Sequence, residues 1–306
     1  MPMLFHQNMR NFNGANAARN AAYVGAFGAI SAGLGAVNPI AVAGFTELTS
    51  GGNVATALGG HNAVGIPGGG PANLCAALNV QPPIMAACGL TALANGKPEF
   101  IGISISSAAA LGMNVLSVGR IFLHSDGKSL NLIDDRAPVH PPPAAWCDAV
   151  HPSATHDYRG VVYVVVQNGA GHIFAVGFLH NMYSFVDQKV LVAGKIPSMM
   201  SLIGKNPALG GGAIYLGGDF NVDPVDRTND RLGIAACYSQ GTLPAAIPAG
   251  AQAGGTTWHG NLYDYWYANH GVAGGLPAAH VRTNTLDTGA GGANTMSDHV
   301  ATLLAI

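Results

Sequence analysis

Residues 214–224 read IYLGGDFNVDP. Asp219 and Asn221 flank a single phenylalanine, so an extended backbone puts both on one face. Gly217 and Gly218 before them allow a sharp turn or a close backbone approach. A carboxylate and an amide at the end of a buried strand cost free energy unless they bind or orient something. The same juxtaposition recurs along the chain. Asn8 sits near the end of the first apolar run and Glu47 directly after the second. His180 follows FAVGFL, Asp264 lies in LYDYWYA, and Asp298 and His299 precede VATLLAI. Six β-like segments thus place an oxygen or imidazole group at an end, in a chain with only 9% charged residues.

These groups suit metal-assisted attack of water on phosphorus. Mg²⁺ takes oxygen ligands in near-octahedral geometry and keeps several waters. Glu47 is the direct ligand to expect, with Asn8 and Asp298 completing or supporting the shell; Mn²⁺ and Ca²⁺ are the alternative ions. Such an ion polarises a phosphoryl oxygen and stabilises the leaving oxygen. His299 or His180 can act as the base, because an unperturbed imidazole titrates near about pH 6.5. A histidine base needs an orienting carboxylate, and Asp264 is the candidate.

The elements that must position these groups are short. Residues 3–13 open as an apolar strand and run into polar residues. Residues 15–36 space Tyr23, Val24, Phe27, Ile30 and Leu34 as an amphipathic helix, which Pro39 ends. Residues 40–45, 100–106 and 115–123 read as strands, and SDGK at 125–128 turns the last of them back into 130–133. Residues 161–166 and 173–178 are strands joined by QNGAGH, a hairpin signal. The stretch 51–95 gives little beyond a helix at 71–78 stopped by Pro82 and Pro83. A helix at 182–200, a short helix or loop at 226–237, an exposed loop at 242–257, a strand at 262–268 and a final apolar strand complete the chain. No G-x-G-x-x-G follows the first strand and no GxxxxGK[ST] occurs, so an α/β sandwich in one domain, 1–306, is expected over a doubly wound nucleotide fold.

Composition bounds the function classes. With 49% apolar residues a sizeable core is available. Gly 43 and Pro 18 show no G-x-y period, which excludes collagen. Lys+Arg 13 against Asp+Glu 15 argues against a broad basic nucleic-acid surface, although a few arginines at a phosphodiester remain compatible. Cys75, Cys88, Cys147 and Cys237 form no CxxC pair, so a cysteine zinc site is not expected. They allow three full disulfide pairings, with Cys75–Cys88 the shortest loop, or buried free thiols. No signal-peptide pattern opens the chain, and its apolar stretches are too broken to cross a membrane, so a transmembrane segment is not expected. A trimmed secreted protein and a cytoplasmic one both fit.

Taken together, the motifs resemble the endonuclease/exonuclease/phosphatase superfamily, which includes pancreatic-type deoxyribonucleases, base-excision endonucleases, sphingomyelinases and inositol phosphatases. NMRNF resembles its first-strand asparagine motif, GFTEL the metal-glutamate motif and FLHN the first histidine motif. GGDFNVDP, YDYWYAN and SDHVATLL resemble the later Gly-Asp-Phe-Asn, aspartate and Ser-Asp-His motifs. The resemblance covers almost the whole chain; GDFN with SDH is its most specific part. It implies a four-layer sandwich of two packed mixed β-sheets flanked by helices, with the site at one open end.

The resemblance also implies roles. Asn8, Glu47 and Asp298 belong near the metal, with Asp298 alternatively assisting His299. His180 hydrogen-bonds the scissile phosphate or donates to the leaving oxygen. Asp219 orients or activates water, Asn221 holds the phosphate, and His299 contacts phosphate or serves as acid/base partner. Asp264 orients His180 or His299. Arg159, before GVVYVVV, and Arg10, two residues after Asn8, reach the substrate phosphate. One place stays empty: the second glutamate that nuclease members set behind a histidine has no match in residues 102–120, and Glu99 is left without a role.

GMNVLSVGRIFLHSDG with NLID, and TLPAAIPAG before YDYWY, resemble the cytolethal distending toxin catalytic subunit, which implies a secreted toxin or effector. The implied activity is a Mg²⁺-dependent phosphodiesterase, an endonuclease acting on nucleic acid and above all DNA. A sphingomyelinase- or inositol-phosphatase-like hydrolase of phospholipid or inositol phosphate fits the low basic charge better. It calls for an apolar rim, for instance with Trp258, Trp266 or Tyr267. A non-catalytic binding protein on this scaffold would leave Glu47, His180, Asp219 and His299 apart.

Overall fold

A computed structural model describes residues 1–49, 54, 57–58, 73–90, 98–125, 130–149, 159–181, 191–222, 263–269, 280–282, 297, 299 and 301–306. Its strands are β1 (Met3–Phe12), β2 (Ile40–Thr49), β3 (Ile84–Leu90), β4 (Pro98–Ile105), β5 (Asn114–Ser125), β6 (Leu130–Arg136), β7 (Val161–Gln167), β8 (Ile173–His180), β9 (Ala213–Asp219), β10 (Asp264–Ala268), β11 (His280–Arg282) and β12 (Thr302–Ala305). Its α-helices are α1 (Ala17–Leu34), α2 (Leu74–Ala77), α3 (Ala144–Asp148) and α4 (Ile196–Gly204).

The strands form two six-stranded sheets, ordered β11-β12-β1-β2-β4-β3 and β10-β9-β8-β7-β5-β6. Both are mixed. β1 runs parallel to β2, β8 runs parallel to β9, and every other pair is antiparallel.

Both sheets pack on two faces, and β7 shows why. Its residues alternate in direction. Val162, Val164 and Val166 enter the core shared by the sheets, while Val161, Tyr163 and Val165 enter a second core with Ile196, Met199 and Ile203 of α4. On the far side of the first sheet, Tyr23 and Phe27 of α1 pack against Phe5, Phe12 and Phe45. The result is the expected four-layer sandwich: helix, sheet, sheet, helix. The sheets approach closely where Phe178 of β8 lies over Gly44 of β2; any side chain at Gly44 would run into that ring.

α1 forms despite its glycines. Gly25, Gly28 and Gly33 lie on its open side, and Asn16 caps it by accepting the Arg19 amide. The 71–78 helix is described only as Leu74–Ala77. The 182–200 helix is described at 191–194 and in α4, which runs on to Gly204 and carries Pro197 in its first turn. β3, β11 and α3 were not expected. Cys75, Cys88 and Cys147 are buried free thiols, so Cys75–Cys88 is not a disulfide. Expectations for 226–237, 242–257, Cys237, Trp258 and Asp298 fall outside the described residues. Among the described residues no helix is long and apolar enough to cross a membrane.

Candidate active site

The second sheet delivers three groups in one row. Register pairs His180 with Asp219 across β8 and β9, and Asp264 with Asp219 across β10 and β9. Alternation aims all three into the space between the sheets. Phe178, two residues before His180, and Trp266, two after Asp264, sit in the shared core.

The first sheet supplies its groups through irregular backbone. Between the pairs Asn8–Thr46 and Phe12–Leu48, three residues of β1 face only Glu47 of β2. β2 has an extra residue against β4, and β3 has an extra residue, Cys88, against β4. Such bulges bend a strand and re-aim side chains. Glu47 shows the consequence. Phe45 faces α1 and Thr46 meets His6 between the sheets, so strict alternation would send Glu47 towards α1. Its left-handed φ of 55° instead carries its carboxylate to His180. Cys88 turns its carbonyl to the Gly160 amide, which brings Arg159 beside Glu99.

His180 is the most constrained group. Its Nδ1 lies 2.5 Å from Glu99 Oε1 and its Nε2 lies 2.9 Å from Glu47 Oε1. Arg159 Nη1 also approaches Nδ1, at 2.6 Å, while Arg159 Nε is 3.3 Å from Glu99 Oε2. A single Nδ1 proton cannot serve Glu99 while Nδ1 also accepts from Arg159. Two flanking carboxylates favour the imidazolium donating to Glu99, with the guanidinium drawn in by the same carboxylate. Burial works against a charged His180 and Arg159 opposes it, but Glu99 and Glu47 prevail and raise its pKa to about 9. Glu47 responds in kind. Burial alone would raise its pKa, yet His180 holds it well below the usual carboxylate range.

Asp219 is the hub. Its Oδ2 accepts from Asn8 Nδ2 at 2.9 Å and Asn221 Nδ2 at 3.2 Å, and its Oδ1 accepts the Asn221 amide at 2.9 Å. The same Oδ2 lies 3.7 Å from Nε2 of both His180 and His299. His299 in turn has Nδ1 2.7 Å from Asp264 Oδ2. Two carboxylate-oriented imidazoles therefore face one central carboxylate. Burial, countered in part by His299, raises the Asp219 pKa to about 6.

The expected residues meet as follows. Glu47, His180, Asp219, Asn221, Asp264, His299 and Asn8 form one cluster, and Asp264 orients His299, not His180. Asn8 spends its amide on Asp219 and its Oδ1 on the Arg10 amide. Arg159 is buried against Glu99 and His180. Arg10 is part-buried in the β1 bulge. Trp266 and Tyr267 are core residues and do not form an apolar rim.

Sequence reasoning left Glu99 without a role, and the structure sets it against His180 Nδ1. The signal available was an acidic residue opening an apolar strand in a charge-poor chain. It also missed Asn181, which follows His180 directly. Asn181 donates to the Phe220 carbonyl and accepts from Asn221 Nδ2, bracing the turn that carries Asp219.

Two sets of groups can converge on a divalent ion, Glu47 with His180 and Asp219, and Asp219 with Asp264 and His299; within each set the ligand atoms lie within 4.8 Å of one another. The donors fit a hard ion through oxygen. Glu47 is held ionised and keeps part of its side chain exposed. This arrangement has the makings of a metal-assisted phosphoesterase.

No sequence-family profile and no curated protein sequence matches the chain. Solved structures do. An endonuclease/exonuclease/phosphatase family protein from Leptotrichia buccalis is 12% identical, with TM-score 0.54 over 100% of this chain and 99% of that one. The fold is the one that family has. The Bacteroides thetaiotaomicron mannosyl-6-phosphatase Bt3783 is 15% identical, with TM-score 0.51 over 100% and 99% of the two chains. The Haemophilus ducreyi cytolethal distending toxin overlaps at TM-score 0.46 and 14% identity, covering 99% and 97%, which is too distant to argue for that branch.

Proposed function

We propose that this chain is a Mg²⁺-dependent phosphodiesterase that hydrolyses DNA by attack of water on phosphorus. One observation carries the reading: the His180–Glu99 and His299–Asp264 pairs both converge on Asp219, with Glu47 alongside. Two carboxylate-oriented imidazoles on either side of one buried carboxylate are the disposition a hydrolytic site needs.

The residues divide the work. Glu47 would hold the metal, with Asn8 and Asp298 supporting it, and Mn²⁺ or Ca²⁺ would be the alternative ions. Bound there, the ion supplies charge stabilisation at a phosphoryl oxygen. Asp219, near neutrality in its proton affinity, orients the attacking water and takes its proton. His180, kept protonated by the Glu99 carboxylate at its Nδ1, donates a hydrogen bond from Nε2 to the phosphate or the leaving oxygen. His299, aligned by Asp264, contacts the phosphate from the other side. Arg10 holds the substrate phosphate and Arg159 adds positive charge behind it, while Asn221, which gives its amide to the Asn181 carbonyl and Asp219, reaches the phosphate only by releasing one of them.

Plasmid nicking tests this reading. Wild type should nick in Mg²⁺ and stop in EDTA, while His180→Ala and Asp219→Ala should fall by about 10²–10⁴-fold. Equal nicking by all three proteins would refute it.

A second reading keeps the chemistry and changes the substrate to a compact phosphate ester, such as an inositol or sugar phosphate or a phospholipid headgroup. The low basic content, Lys+Arg 13 in 306 residues, favours it, and the mannosyl-6-phosphatase neighbour has the same fold. Phosphate release from such esters without DNA cleavage would decide for it.

A further inference from the structure

We propose that Arg19, on α1, is a positioning residue for Glu47 and Asn8 that acts through the bulge of β1. Its Nη2 donates to two successive carbonyl oxygens of that bulge, Met9 O at 2.5 Å and Arg10 O at 2.8 Å. The guanidinium also lies over Phe12 and Tyr23, 5.6 and 5.8 Å from their ring centroids, which fixes its direction.

The bulge that Arg19 holds is strained. Arg10 and Asn11 adopt φ values of 47° and 50°, a left-handed region that asparagine enters readily and arginine disfavours. Such a conformation persists only where its surroundings impose it. Its amides point the other way, into the site. The Arg10 amide donates to Asn8 Oδ1 at 2.8 Å, and the Asn11 amide donates to Glu47 Oε2 at 2.8 Å. The carbonyl side of the bulge is thus tied to α1, and its amide side is tied to Asn8 and Glu47.

Glu47 has two fixed points, His180 on Oε1 and the Asn11 amide on Oε2. The first must loosen if Oε1 turns to an ion. The second holds the carboxylate in place only while the bulge keeps its left-handed shape. Without the guanidinium, β1 can relax towards ordinary pairing, and the Asn11 amide leaves Glu47. Asn8 loses the partner of its Oδ1 at the same time, and with it the orientation of the amide it gives to Asp219.

This inference rests on Glu47 being a metal ligand. Mn²⁺ binding, followed by electron paramagnetic resonance, tests it on wild type, Arg19→Met and Arg19→Lys, each below its melting temperature. Arg19→Met should bind Mn²⁺ about 10–100-fold more weakly, as expected when a group supporting a ligand is lost. Arg19→Lys, whose ammonium reaches one carbonyl instead of two, should fall between. Wild-type affinity in either folded variant would overturn the assignment, whatever happens to its melting temperature. If wild type itself binds no Mn²⁺, the metal reading of Glu47 fails first and takes this inference with it.

Discussion

Glu99 Oε1 lies 2.5 Å from His180 Nδ1, although 81 residues separate them in the chain. The contact keeps the His180 imidazole protonated to about pH 9 against the cost of burial. Glu99→Gln removes the charge and keeps the shape. The His180 pKa should then fall towards its ordinary value of about 6.5. We expect kcat to drop about 10–100-fold at pH 8 and less at pH 6, so the alkaline limb of the pH–rate profile moves to lower pH. Superimposable profiles would show that Glu99 does not support a catalytic proton.

The same contact sets a pH dependence of stability in the metal-free protein. His180 is raised from 6.5 to about 9. The native state therefore holds a proton that the unfolded state has released, and the stability is full below pH 6.5 and lost as pH rises through 9. Below pH 6.5 shifts of both signs meet: His140, lowered by burial, and Glu47, which burial would raise but His180 lowers, add to the loss of stability in acid, Glu47 only below its ordinary value. His6, lowered mainly by burial to about 4, destabilises as pH falls, while Asp219, raised to about 6, stabilises. Urea melts in EDTA should change little between pH 5 and 6.5 and weaken steadily from 6.5 to 9. Constant stability across the upper interval would contradict the assigned His180 charge state.

Gly218 is required by the backbone at the hub. Its φ is +151°, and a Cβ there would run into the carbonyl oxygen of Leu179 on the neighbouring strand. Gly218→Ala should destabilise by roughly 3 kcal/mol or more, visible as a lower Tm, and should displace Asp219. A variant with wild-type Tm would show that β8 and β9 do not pack this closely.

Cys75, Cys88 and Cys147 should be inert in the native protein. Burial pushes the Cys75 and Cys147 thiols up to about 12, and burial and Glu99 push Cys88 up as well. Iodoacetamide at pH 8 should leave all three unmodified until denaturant is added. Peptide mapping checks this, and native labelling of any of the three would place it wrongly.

Much of the fold was legible where both faces of a strand are buried. VVYVVV and IFAVGFL announce β7 and β8 because bulky apolar residues fill both cores. α1 was legible from Tyr23 and Phe27 at helical spacing. β3 was not: IMAACGL has one β-branched residue and follows two prolines, so its pairing with β4 decides it. β11, three residues long, depends on β12 in the same way. The site divides along similar lines. Asp219, His180, Asp264 and His299 stand at the ends of readable strands. Glu47 needed a bulge to reach them, and Glu99, though visible as an acidic residue opening an apolar strand, finds its histidine, 81 positions on, only through sheet packing.

The most direct test of the account is hydrolysis of bis(p-nitrophenyl) phosphate, a diester with no nucleic-acid surface to recognise. Wild type with Mg²⁺ should release p-nitrophenol, EDTA should stop it and added Mg²⁺ restore it, and Asp219→Ala should reduce it by about 10²–10⁴-fold. Metal-independent release, or equal release by Asp219→Ala, would contradict a metal-assisted phosphoesterase centred on Asp219.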